Sequence, residues 1–96
     1  MSYALAIAGD ARHELRALDP WLKEEVFDEL ETLAGDPTVL PTLGPGSDLV
    51  YGLSRISGGT KHYVAVTLSR NDVTRTLTAL GITYRHQTLP PRPDPP

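Results

Sequence analysis

The apolar residues of this chain change their spacing once, and the change falls in a proline-rich break. Before the break, Leu22, Val26, Leu30 and Leu33 recur every three or four positions, the period of one helix face. After it, runs such as Lys61 to Ser69 alternate, with His62, Val64, Val66 and Leu68 on one side. The two periods bury different residues, so neither half can adopt the other's structure without turning its apolar side to water. Helices followed by strands give an α+β domain. The break itself, Pro37 to Asp48, carries three prolines and two glycines and reads as a loop.

Turn and cap signals divide the two halves further. Tyr3 to Ala8 sets Tyr3, Leu5 and Ile7 against three alanines, as a strand would. Asp10 is expected to cap a short helix reaching Leu18. Asp19-Pro20 restarts a helix, since proline at the first helical position loses no needed N–H. Gly35 followed by Asp36-Pro37 is expected to end it. Strand-like runs then follow from Leu49 to Ile56, Lys61 to Ser69 and Val73 to Tyr84, with Gly52 read as a bulge. Gly58-Gly59 supplies the positive φ angles of a tight hairpin. The order is β-α-α-β-β-β: an antiparallel sheet with an N-terminal helical hairpin packed on one face. The other face is then open, and Thr67, Thr76 and Thr78 are expected on it. The end, Thr88 to Pro96, has five prolines in nine residues and reads as a tail without regular structure; it includes a Pro90-x-x-Pro93 step.

Length and composition narrow the function. Ninety-six residues make one small domain of modest stability. The absence of cysteine removes disulfide and thiolate chemistry and fits a reducing, cytoplasmic setting. The first residues lack a basic n-region, and Gly9 and Asp10 interrupt their apolar stretch, so neither a secretory signal nor a membrane association is read. The net charge of −3 is unevenly distributed. Residues 1–48 hold ten acids and three bases, whereas residues 49–96 hold two acids and six bases. A mildly acidic protein can thus present a positive face to an anionic partner.

No Gly-x-Gly-x-x-Gly, phosphate-loop or His-Glu-x-x-His pattern occurs. His13, His62 and His86 have no cysteine companions and are far apart, so no metal or other cofactor is expected. What remains comes from the strands: Arg55, Lys61, His62, Tyr63, Tyr84, Arg85 and His86. Arg and Lys hold phosphates, Tyr and His stack on bases, and His moves protons near neutral pH. Metal-free cleavage of RNA needs such a mixture: a base for the 2′-hydroxyl, cations for the phosphate and an acid for the leaving oxygen.

The segments YALAIAGDARHELRAL, DPWLKEEVFDELETLAGDP, LVYGLSR, GGTKHYVAV and RTLTALGITYR, in this order and spacing, resemble the RelE/ParE superfamily of bacterial type II toxins. The resemblance covers about residues 3–86 and implies a toxin domain over residues 1–87, followed by the 88–96 tail. It implies growth inhibition, either by metal-independent cleavage of mRNA at the ribosome, as in RelE-like members, or by poisoning DNA gyrase, as in ParE-like members. A third alternative is an inactive binding module of the same fold. A cognate antitoxin that wraps the toxin with an amphipathic helix and an extended segment is the implied partner. Arg85 falls on the family's late arginine, which in ribonuclease members helps bind the scissile phosphate. Tyr84 falls where those members often have His. His62-Tyr63-Val64 occupies the central step, placing Tyr63 where an arginine is usual, with Lys61 or Arg55 left to supply charge. Catalysis is thereby assigned to Arg85, Tyr84, Lys61, Tyr63 and His62, and RNA binding to Arg55, Lys61 and Arg85.

Overall fold

The computed structural model describes residues 2–36 and 48–90. Its elements are β1 (Ala4–Ile7), α1 (Gly9–Arg16), α2 (Pro20–Gly35), β2 (Leu49–Ser57), β3 (Thr60–Asn71) and β4 (Thr76–Thr88). The strands form one sheet in the order β1-β4-β3-β2. β2, β3 and β4 are joined by successive hairpins and pair antiparallel. β1 adds to β4 in parallel, so the sheet is mixed rather than wholly antiparallel. The helical hairpin lies between β1 and the rest and covers one face.

The buried side of each element follows from its period. Ala11 and Leu15 of α1, Leu18 of the turn, and Leu22, Val26, Leu30 and Leu33 of α2 form the helical half of the core. Leu53, Val64, Val66, Leu68, Leu77, Ala79 and Ile82 form the sheet half. Leu22, Val26 and Leu30 have almost no exposure, as the spacing within α2 requires. Asp19 stands at the N-cap with Pro20 at the first helical position, but its carboxylate makes no cap hydrogen bond. Asp10 lies inside the first turn of α1, whose N-cap is Ala8. Gly35 is the last residue of α2 rather than the residue beyond it.

Two departures in the strands matter for the site. Gly52 keeps a regular register opposite Ala65 and forms no bulge. The irregularity is in β4: Thr67 pairs with Gly81 and Leu68 with Ala79, leaving Leu80 as an extra residue. β4 also starts later and runs further than its composition implies. The turn before it is held by Asn71 Oδ1, which accepts from the amides of Val73 and Thr74 at 3.0 Å each, and Arg75 closes it at φ 53°. Gly58 and Gly59, at φ 59° and 78°, form the expected tight turn between β2 and β3. The proline-rich break at 37–47 and the tail from residue 91 lie outside the described residues.

The bulge in β4 has its own support. β1 ends at Ile7, opposite Ala79, and leaves the side of β4 away from β3 without a strand partner at Ile82. Glu14 of α1 reaches the amide of Ile82, accepting at 3.3 Å. The same carboxylate lies beside Gly81.

Candidate functional site

Strand register sorts the seven side chains singled out by sequence. Side chains directly opposite in neighbouring strands share a face, and successive residues alternate. Tyr63 pairs with Ser54 on one side and Arg85 on the other, and Lys61 pairs with Ile56 and Gln87. These residues lie on the face turned away from the helices. His62 pairs with Arg55 and His86, and Val64 with Leu53 and Tyr84. Those lie on the helix-covered face. The structure therefore brings Lys61, Tyr63 and Arg85 together. It places Arg55, His62, Tyr84 and His86 behind them, across the thickness of the sheet.

On the open face the Tyr63 ring is shared by two cations. Lys61 Nζ sits 5.1 Å and the Arg85 guanidinium 5.2 Å from its centroid. Both distances are within cation–π range. No strand residue on this face is acidic, and neither cation has an ion-pair partner among the described residues. Two like charges over one ring repel each other, so an anion between them would relieve that repulsion. Beside them runs a shallow groove of about 340 Å³, with Gly52, Ser54, Tyr63, Ala65, Thr83 and Arg85 along it. This is near the lower end of the roughly 300–1,000 Å³ typical of small-ligand sites. The floor is low because Gly52, Ala65 and Thr83 are opposite one another in register and all are small. Thr67, Thr76 and Thr78 continue the open face, as expected.

On the helix side the four remaining residues have structural partners. The Tyr84 hydroxyl lies 2.6 Å from His62 Nδ1, donating when that nitrogen is unprotonated and accepting when it carries a proton. The two rings stack at 5.8 Å, and His86 lies beside Tyr84 at 5.9 Å. Trp21, at the start of α2, meets the His62 ring edge-on at 5.1 Å. Arg55 is tied to α2, with Nε 3.3 Å from Glu25 Oε2 and Nη2 3.8 Å from Glu29 Oε2. The Tyr51 hydroxyl also donates to Glu29, and this bond to a carboxylate, more than partial burial, raises the phenol above its ordinary range. Arg55 is thus committed to the helix and is not available to the open face.

Sequence reasoning missed the groove floor and Trp21. Gly52, Ala65 and Thr83 carry no chemistry that draws attention, and only the register aligns them. Among the described residues no group of three or more His, Asp or Glu is placed to hold a metal. No helix among them is long and apolar enough to cross a membrane.

The sequence matches no family model and no curated protein. Solved structures do match the fold. E. coli toxin RelE, in the free state as a double arginine mutant, matches with a TM-score of 0.64 at 17% identity, over 85% of this chain and 82% of that one. The RelBE2 toxin–antitoxin complex of Mycobacterium tuberculosis matches with a TM-score of 0.61 at 19% identity, over 88% and 100% of the two chains. The intact E. coli RelBE toxin–antitoxin complex gives 0.60 at 16% identity, over 95% and 100%. Two helices packed on one face of a β1-β4-β3-β2 sheet, matching over 82–100% of those chains, give this chain a RelE-like fold.

Proposed function

We propose that this chain is the toxin of a toxin–antitoxin pair and that it cleaves mRNA, and so blocks translation, at its open sheet face. The observation that carries this reading is the pair of cations over Tyr63, without ion-pair partners among the described residues, beside a groove on a face whose strands carry no acid. A phosphate diester fits between Arg85 and Lys61, and an unstacked base fits over the Tyr63 ring and the low floor at Gly52 and Ala65. Cleavage by the neighbouring 2′-hydroxyl then needs no metal. Arg85 and Lys61 stabilise the extra negative charge at phosphorus, while the Tyr63 hydroxyl and Lys61 are the groups on this face able to exchange protons with the attacking and leaving oxygens. His62, Tyr84 and Arg55 act from the other face, as support for the strands that carry the site. The toxin–antitoxin complexes among the structural matches support a cognate antitoxin as partner. The reading places the toxin in the bacterial cytoplasm.

Inducible expression with separate readouts of translation and DNA damage tests this. Arrested protein synthesis with cut mRNA is expected, relieved by Arg85→Ala. DNA damage with intact mRNA would instead point to a gyrase poison. A second reading, binding without cleavage, draws on the separation of both histidines from the cations. Unimpeded growth in a host free of antitoxin would favour it.

A further inference from the structure

Among the described residues β2 has a neighbour on its β3 side alone. The two-residue turn at Gly58-Gly59 makes Ser57 and Thr60 a hydrogen-bonded pair, which fixes the alternation along the strand. Leu49, Tyr51, Leu53 and Arg55 direct their backbone groups to β3. Val50, Gly52, Ser54 and Ile56 direct theirs outward. Long edges are ordinarily protected by lysine, proline or a bulge, and this nine-residue strand has none of these. Its one charged residue, Arg55, is held by Glu25 and Glu29, and its Nη1 also donates to the Ser54 carbonyl at 2.9 Å. Val50 and Ile56, each 65% exposed, stand at the two ends of the open edge.

We propose that β2 pairs with β2 of a second copy, antiparallel about a two-fold axis at Leu53. In that register Val50 meets Ile56 of the other copy and Gly52 meets Ser54. Every outward amide and carbonyl gains a ladder partner, the Ser54 carbonyl exchanging Arg55 for the Gly52 amide. A slip by one pair in either direction leaves Val50 or Ile56 without its partner. Charge follows the same register. Arg55 of one copy lies opposite Tyr51 of the other, whose hydroxyl is bonded to Glu29, so a cation and a carboxylate of different copies come to neighbouring positions while Arg55 keeps its own Glu25 and Glu29. The two-fold stands perpendicular to the sheet, so both open faces remain on one side and uncovered.

The test is the solution mass of the purified full chain against concentration, by light scattering or sedimentation. The apparent mass is expected to rise from 10.5 kDa toward twice that value. Val50→Lys with Ile56→Lys sets like charges against each other at both ends and should hold the mass at the monomer value. Val50→Glu with Ile56→Lys sets opposite charges together in this register alone and should restore the dimer. Circular dichroism checks that both doubly substituted chains stay folded, as two solvent-facing positions allow. A wild-type chain that stays monomeric at all concentrations overturns the proposal, even where a strand from a different protein takes the edge. So does a Glu/Lys chain that fails to recover the dimer.

Discussion

The clearest quantitative consequence of the open-face cluster concerns salt. Binding of a short single-stranded RNA should release counterions from each phosphate that Arg85 and Lys61 neutralise. For single strands the affinity falls as log–log slope of about −0.7 per phosphate contact. With the scissile phosphate between them and the next phosphate along the strand also neutralised, Arg85 and Lys61 count as two contacts and give a slope near −1.4, a loss of roughly 7-fold between 50 and 200 mM salt. Arg85→Ala should halve the slope to about −0.7, so that the same interval costs only about 2.6-fold. At fixed salt it should also weaken binding by about 10-fold, the lower end of the range for hydrogen bonds to charged groups, because both cations are solvent-accessible. Fluorescence anisotropy of a labelled oligonucleotide over a potassium chloride series measures both quantities. His62→Ala is the control, because His62 lies behind the sheet against Trp21 and Tyr84. It should change neither slope nor affinity. A slope unchanged by Arg85→Ala, or reduced equally by His62→Ala, would refute the assignment of the site to the open face.

Further predictions concern stacking, core, turn and pH. Tyr63→Phe should keep RNA affinity while Tyr63→Ala loses about 1–3 kcal/mol, the contribution of one stacked base, in the same anisotropy assay. Leu30→Ala, at a fully buried position of α2, should cost about 2–5 kcal/mol in urea unfolding. Arg75→Gly should raise the melting temperature by a few degrees, since the strain of about 1–2 kcal/mol at φ 53° outweighs the roughly 0.5–1 kcal/mol of extra chain entropy that glycine loses on folding. Asp72 accepts from the Tyr3 hydroxyl and from Arg70, both at 2.6 Å, and these bonds, Tyr3 first, hold its carboxyl below the usual value. A depressed folded value means that its stabilisation is present above the ordinary carboxylate range near pH 3.9 and is lost as pH falls through the folded value. Asp72→Asn should therefore flatten the acid limb of the stability curve and lower stability by a constant amount at neutral and basic pH, with no change of slope there.

How the site arises also explains how much of it the sequence could disclose. The helical hairpin, the order of elements and the buried half of β3 are legible because each rests on a period carried by its own residues. The start of β4 is not, because Val73 and Thr74 look like strand residues while Asn71 takes their amides into a turn. Within one strand, parity already separates neighbours: His62 and Tyr63, or Tyr84 and Arg85, cannot face the same way. Which member of one strand faces which member of the next depends on register, and here register turns on the extra residue in β4. Leu77 and Ala79 point into the core. Strict alternation from them would send Gly81, Thr83 and Arg85 to the core side as well. Leu80 interrupts the alternation, Ile82 takes the next core position, and Arg85 emerges on the open face opposite Tyr63. The bulge is held by Glu14 from a helix at the other end of the sequence, across 68 positions. The side on which Arg85 emerges is thus decided by a carboxylate in α1 and the shortness of β1, an interaction that no local pattern around Arg85 contains.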